Sequence, residues 1–311
     1  MQTVLITGAS GFCGTHLIER LRSRGEYRIV GADYKWDPSR VDRFDETVSL
    51  DVTKANDVAS FVAAQSPDIV FHLAGLSDGS DDLIYGTNII GTINILQALK
   101  ERAPSGRLLI AGSSAEYGNV LPAGLPVNES ALCSPTNPNG ISKYAATLAA
   151  LNYAHRYGLR IVCVRPFNII GPGMPNTLAV GAFVQRILEN KRSGSDTPLR
   201  VGRLDTSRDF VAVEDLVDGY CRLVESDCWG EVVNLCSGRA QSLRYVVDFL
   251  VSMMKHPINI EVDPALVRAS DVPSLIGDWS KAHRLCGFEP RTTLEESLRL
   301  VWERGMGTAN A

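Results

Sequence analysis

Val4-Leu5-Ile6-Thr7-Gly8-Ala9-Ser10-Gly11-Phe12-Cys13-Gly14 decides the fold. A short β-branched and apolar run passes directly into glycines spaced G-x-x-G-x-x-G, and a helical pattern, Cys13–Arg24, opens at the last of them. A strand that turns through glycines into a helix brings backbone close to whatever lies over the turn. The unpaired N–H groups of the first helical turn and the helix dipole then favour an anion, so the pyrophosphate of a dinucleotide can rest there on Gly8, Gly11, Phe12 and Gly14.

Working outward, the next apolar run, Arg28–Asp33, ends in a carboxylate about 20 residues beyond the glycines, where it can accept hydrogen bonds from the adenosine ribose and repel a 2'-phosphate. This predicts NAD(H) as the favoured cofactor. Lys35, Trp36 and Arg40 follow closely and soften the discrimination, which keeps NADP(H) possible. Further strands are predicted at Thr47–Leu50, Ile69–Leu73, Arg107–Ala111 and Arg160–Arg165, with helical stretches at Val58–Gln65, Leu83–Arg102 and Gly140–Tyr157 between them. Regular alternation of this kind builds a parallel sheet from βαβ units. The fold class predicted is α/β, a Rossmann-type doubly wound parallel sheet, over residues 1–165. Beyond Arg165 the alternation stops at Gly171-Pro172-Gly173, and residues 166–311 read as a smaller α/β substrate domain with some segments returning to the first. Lys191–Ser195 (KRSGS) reads as a loop.

The bulk properties exclude several classes. Of 311 residues 45% are hydrophobic and 21% charged, with a net charge of -4 and no basic run, so neither nucleic acid nor a membrane is an expected partner. The first residues lack the features of a signal peptide, which points to the cytoplasm. Seven scattered cysteines without a C-x-x-C pair point to inert thiols and no metal site, and Asn128-Glu129-Ser130 carries meaning as a glycosylation acceptor only in a secreted chain.

Four further segments fall in a familiar order: Asp51-Val52 after the third strand, His72-Leu73-Ala74-Gly75 after the fourth, Asn88 within N-I-I-G-T, and Ser113-Ser114-Ala115-Glu116-Tyr117-Gly118 after the fifth. With GASGFCG they resemble the extended short-chain dehydrogenase/reductase family. The resemblance implies that Asp51 and Val52 contact adenine and that Leu73, Ala74 and Gly75 run under the cofactor. It also implies that the Ser113 hydroxyl, or less directly that of Ser114, polarises the C4 oxygen of a sugar while hydride moves between that carbon and nicotinamide. The family's signature places a tyrosine four residues before a lysine on one helix. Here Asn137-Pro138-Asn139-Gly140-Ile141-Ser142-Lys143 keeps the lysine, and the resemblance implies that Lys143 binds the cofactor by holding the nicotinamide ribose, but Asn139 stands where the tyrosine is expected. An amide donates a hydrogen bond but does not ionise usefully. Losing a positioned general acid is worth about 10²–10⁴ in rate, so binding should persist while turnover slows. Tyr144 should face about 100° away from the lysine, and Tyr117 belongs to a strand end, so neither is an obvious replacement.

Arg165-Pro166-Phe167-Asn168 with Gly171-Pro172-Gly173, and Arg208-Asp209-Phe210 after Val201-Gly202, are similar to the family's nucleotide-sugar branch, which implies that Asn168 and Arg208 hold a sugar diphosphate. Val267-Arg268-Ala269-Ser270-Asp271-Val272 resembles the block of the GDP-mannose 4,6-dehydratase and GDP-4-keto-6-deoxymannose reductase branch, with Ala269 replacing its proline. By that match Arg268 contacts phosphate, Asp271 the nucleotide ribose, and the partner is a GDP-sugar. The dehydratases' acidic residue two places after the catalytic hydroxyl is Ala115 here, which favours reduction of a 4-keto-6-deoxy sugar. The alternatives are an epimerase or dehydratase with tightly held NAD, or a nucleotide-sugar-binding protein without turnover. A homodimer through the helices after the fourth and fifth strands is also implied by the resemblance.

Overall fold

A computed structural model of the chain describes residues 1–25, 27–193, 198–254, 258–267 and 273–309. In chain order the first lobe runs β1 (Gln2–Thr7), α1 (Phe12–Arg22), β2 (Tyr27–Asp33), β3 (Glu46–Ser49), α2 (Ala55–Gln65), β4 (Ile69–His72), α3 (Asp81–Tyr85), α4 (Gly91–Arg102), β5 (Arg107–Ala111), α5 (Pro138–Tyr157) and β6 (Arg160–Pro166). The second lobe adds β7 (Asn168–Ile170), α6 (Ala179–Ser193), β8 (Leu199–Val201), β9 (Ser207–Ala212), α7 (Val213–Glu225), β10 (Glu231–Leu235), β11 (Ala240–Ser242), α8 (Leu243–Ser252), β12 (Ile260–Val262), β13 (Ser274–Leu275), α9 (Ser280–Cys286) and α10 (Leu294–Ala309).

Seven parallel strands form the main sheet in the order β10-β6-β5-β4-β1-β2-β3. Its central strands are apolar on both faces because helices cover both: α1 and α7 close one side over Leu17, Leu216 and Tyr220, and α2, α4 and α5 the other over Val62, Leu96 and Ala150. The chain order reverses between β1 and β4, so a crevice opens at the carboxyl ends of these strands, where open α/β sheets bind ligands. Both β10 and α7 lie beyond residue 166 yet complete the first lobe. A smaller sheet of β11, β9 and β13, with β7 against β9, faces a third core in which α6, α8 and α10 pack around Val184, Leu250 and Trp302.

Local chemistry explains the helix that matters most to the site. Asn137 caps α5 by accepting the Gly140 N–H at 2.9 Å, Pro138 occupies the first helical position, and Gly158 ends the helix at φ 67°. Two expectations are corrected. The helix expected over Leu83–Arg102 contains a π turn at Gly86–Ile90, which rotates the apolar stripe so that Ile95, Leu96 and Leu99 are buried while Ile90 is 48% exposed. The expected loop at Lys191–Ser195 begins as helix, because Val180, Phe183, Val184, Ile187 and Leu188 carry α6 through Lys191 and Arg192 to Ser193; residues 194–195 lie outside the described residues.

Candidate functional site

Gly8 sits at φ 69°, and a Cβ there would come within 2.7 Å of the Ala74 backbone nitrogen. At Gly14 a Cβ would meet the Ala9 carbonyl oxygen at 2.5 Å. The loop after β1 can therefore close against Leu73-Ala74 only because these positions carry no side chain. Gly11 is the cap residue of α1 and offers no side-chain oxygen, so the first turn's N–H groups have no cap acceptor. This cradle fits a dinucleotide pyrophosphate. Phe12 and His16 turn to the other lobe: Phe12 packs on the cores of both lobes, and His16 Nε2 lies 2.9 Å from the Pro172 carbonyl oxygen in the Gly171-Pro172-Gly173 turn.

Asp33 ends β2 beside this loop, and its Oδ2 accepts the Ser10 N–H at 2.9 Å. Arg40 donates to the Ser10 carbonyl from the other side and pairs with Asp37 at 3.0 Å. A carboxylate and a guanidinium thus both brace the first turn of the glycine loop. Asp51 Oδ1 accepts both the N–H and the hydroxyl of Thr53, which closes the turn after β3, while Val52 is buried against Gly91 and its carbonyl accepts from Asn94.

Ser113 lies two residues beyond the end of the fifth strand, and its Oγ accepts the Ala115 N–H at 3.1 Å as the cap of a short turn, Ser114–Glu116. Ser114 is buried within that turn. Lys143 reaches the same strand end from α5 and donates to the Ala111 carbonyl oxygen at 2.7 Å, with Gly75 so close that a Cβ there would lie 2.7 Å from its Nζ. Asn139 is the second residue of α5, one turn before Lys143 on the same face, and its carbonyl accepts from the Ser142 hydroxyl at 2.9 Å. The fold therefore gathers Ser113, Ser114, Asn139, Lys143 and Gly75 around one strand end. Burial pushes the Lys143 ammonium down to about 8, against the opposing pull of Glu116.

Several residues that support this strand end escaped the sequence reading. Glu116 is fully buried: its Oε1 accepts the Ser113 N–H at 2.9 Å and the Thr147 hydroxyl at 3.2 Å, and its Oε2 accepts Arg165 Nε at 2.8 Å. Arg165 also lies over the Tyr117 ring, 4.6 Å from its centroid. Tyr117 is equally buried, donates its hydroxyl to Asn234 at 2.7 Å, and is pushed by burial up to about 12. Beneath the glycine loop, Thr7 Oγ1 and His72 Nδ1 are 2.7 Å apart, His72 Nε2 is 3.1 Å from Thr92 Oγ1, and Thr92 donates to the Asn88 carbonyl. Asn88, on the π turn, donates its amide to Ser142 at 2.9 Å and to the Leu76 carbonyl. The one available signal was opposite charge inside apolar runs, Glu116 after β5 and Arg165 in β6, since buried charges require partners.

On the substrate side, β7 and β9 pair with Asn168 opposite Phe210, so Asn168 and Arg208 come onto adjacent strands. The Asn168 amide donates to the Asp209 carbonyl at 2.9 Å, and Arg208 donates to the Ser207 carbonyl at 2.9 Å. Asp209 is buried and accepts the Ser237, Gly238 and Gly277 N–H groups, tying the loop after β10 and the loop after β13 to β9. Arg268 and Asp271 lie outside the described residues.

The reversed parallel sheet and glycine cradle define a dinucleotide-binding α/β enzyme of the Rossmann type. Residues 4–236 match the NAD dependent epimerase/dehydratase family, and the chain belongs to it. It is 32% identical to the GDP-6-deoxy-D-mannose reductase of Pseudomonas aeruginosa, over 97% of each chain. The solved structure of RMD from Pseudomonas aeruginosa complexed with NADPH superposes with a TM-score of 0.87 at 30% identity, covering 99% of this chain and 100% of that one. MoeE5 in complex with UDP-glucuronic acid and NAD does so with a TM-score of 0.86 at 27% identity, covering 98% and 99%.

Proposed function

We propose that this protein reduces a GDP-linked 4-keto-6-deoxy sugar of the mannose type to the alcohol, using NADH in preference to NADPH while accepting both. The observation that carries the choice of reduction is the state of Glu116. Elimination across C5 and C6 needs a carboxylate free to take a proton, Ala115 supplies none, and Glu116 is enclosed between Arg165, Thr147 and the Ser113 backbone. Reduction needs only a polarising hydroxyl, a hydride and a proton. The dinucleotide, when bound, supplies the hydride. Ser113 holds the C4 oxygen, Gly8, Gly11, Phe12 and Gly14 carry the pyrophosphate, and Leu73, Ala74 and Gly75 form the floor. Asp33 and Asp51 with Val52 frame the adenosine end; Asn168, Arg208, Arg268 and Asp271 hold the GDP-sugar. The P. aeruginosa reductase, similar over 97% of each chain, supports this substrate class.

Asn139 favours a second reading, a nucleotide-sugar-binding protein without turnover. The deciding experiment is incubation with GDP-4-keto-6-deoxymannose and NADH or NADPH, following reduced-nicotinamide absorbance and the sugar product together. Cofactor oxidation matched by a GDP-deoxyhexose supports the reductase. Conversion of GDP-mannose, supplied in a parallel incubation, without net change in the cofactor would instead support an epimerase or dehydratase with tightly held NAD, and binding alone the silent reading.

We also propose a cytoplasmic location and a homodimer. Among the described residues no helix is long and apolar enough to cross a membrane, and none of the seven cysteines is paired, which fits a reducing compartment. Leu83, Ile90, Ile141 and Leu148 leave exposed apolar side chains along α3, the π turn and α5, which supports pairing of these helices with a second copy.

A further inference from the structure

We propose that Lys143 itself is the acid of this site: its ammonium, held at the end of β5 one helical turn after Asn139, delivers the proton taken up by the reduced C4 oxygen. The assignment rests on the reductase reading above. Its basis is the set of groups that the fold brings to this strand end and the bonds each already makes.

Among the described residues, Tyr117 donates its proton to Asn234 at 2.7 Å inside the core, with Arg165 over its ring, so it neither faces the crevice nor gives up a proton near neutrality. Glu116 is shut away by Arg165, Thr147 and the Ser113 N–H. His72 is bonded on both ring nitrogens, by Thr7 and Thr92, and burial with the nearby Lys143 charge pushes it down to about 3, so it stays a neutral imidazole and is no acid near neutrality. Cys13, from the first turn of α1, is pushed by burial up to about 12. Asn139 does not ionise.

Lys143 differs from all of these. Among the described residues its Nζ makes one hydrogen bond, to the Ala111 carbonyl at 2.7 Å, which leaves two N–H donors of the ammonium. Ser113 follows Ala111 by two residues, a span of about 6–7 Å along extended chain, short enough for a water or hydroxyl to relay between the ammonium and an oxygen held by Ser113. Asn139 is shorter than the tyrosine otherwise expected and fills less of that span. Burial lowers the ammonium to about 8, while Glu116 from the turn after β5 acts to keep it charged; Cys13 from α1, held as a neutral thiol, and Asn88 across Gly75 add no charge. An acid titrating near 8 is protonated at neutral pH and still gives up its proton readily.

The step balances. The keto carbon accepts the hydride and is reduced, the reduced dinucleotide being oxidised; the π electrons of the C=O bond move to oxygen, which takes a proton relayed from Lys143. Lys143 is left as a neutral amine and regains its proton from solvent.

Two measurements test this. The first needs no substrate: the Lys143 Cε carbon resonance, assigned by its loss in Lys143→Met and followed with pH in the apo protein and with NADP+, should titrate near 8. Titration above about 10, the ordinary lysine value, overturns the proposal. The second is single-turnover hydride transfer with GDP-4-keto-6-deoxymannose at saturating cofactor. The rate constant should fall about tenfold per pH unit above 8, and Lys143→Met should lower it about 10²–10⁴-fold. Adding Asn139→Tyr to Lys143→Met should restore at least tenfold, because a phenol can replace a proton donor but not a ribose-binding ammonium. A rate independent of pH between 7 and 9.5, or no rescue by the second substitution, overturns the role of Lys143 while leaving the reductase standing. No oxidation by the wild type or by Asn139→Tyr at any pH overturns the reductase reading and this assignment with it.

Discussion

Replacing Glu116 with glutamine tests whether the strand end that carries Ser113 depends on a buried charge. Glu116 is fully buried and Arg165 almost so, and they meet at 2.8 Å. Glutamine keeps an oxygen that can accept the Ser113 N–H, but it removes the negative charge and can turn an amide N–H toward Arg165. An uncompensated buried guanidinium costs about 3–5 kcal/mol, of which the Tyr117 ring beneath it returns at most about 2 kcal/mol. The expected net loss is therefore about 1–5 kcal/mol, read as a shift of the urea midpoint by circular dichroism at unchanged slope. Because a buried ion pair contributes little over neutral residues of similar volume, removing the second charge as well, by Glu116→Gln with Arg165→Met, which keeps an oxygen for the Ser113 N–H and the Thr147 hydroxyl, should recover most of that loss. A loss below about 1 kcal/mol for Glu116→Gln, or a double variant no more stable than the single, would show that this pair does not carry the strand end.

Four further outcomes are expected. Asp33→Ala should shift preference toward NADPH in paired titrations, since it removes the charge opposing a 2'-phosphate while Arg40 remains; unchanged relative affinities would remove Asp33 from the ribose site. Arg208→Ala should weaken GDP binding by about 2–5 kcal/mol in calorimetry, the cost of breaking a desolvated charge pair, and an unaltered isotherm would empty the proposed diphosphate site. His72 has a folded pKa near 3, lowered from 6.5, so the unfolded state binds more protons between these values. Its contribution is complete above about 6.5 and should decay by up to roughly 1.4 kcal/mol per unit as pH falls toward 3; urea midpoints of wild type and His72→Asn with the same pH slope would refute this. Leu148→Glu should convert a dimer to a monomer at micromolar concentration in sedimentation, because that side chain is 49% exposed on the apolar face of α5; a wild-type monomer would exclude the dimer outright.

Local patterns in the sequence determined a large part of this protein. The apolar runs at residues 4–7, 28–33, 69–73, 107–111 and 160–165 became strands of one parallel sheet, because apolar stretches of that length punctuated by helices have few other ways to be buried. The glycine loop, the cap and proline that start α5, and the one-turn spacing of Asn139 and Lys143 are likewise set by neighbours in the chain. Tertiary structure decided what depends on distant residues. Glu116 and Arg165 are 49 positions apart and Tyr117 and Asn234 are 117 apart, so no periodicity announces that they pair. β10 joins the edge of the main sheet beside β6 from 65 residues beyond it, counting from Pro166 to Glu231. The π turn at Gly86–Ile90 turns Asn88 toward Ser142 and Leu76, partners that only the packed fold provides. The acidity of Lys143 belongs to the same class. The lysine and its position are written in the sequence, but a side chain's proton affinity is set by the water it loses and the charges it faces, and those arrive from α1, β5 and the turn that follows it.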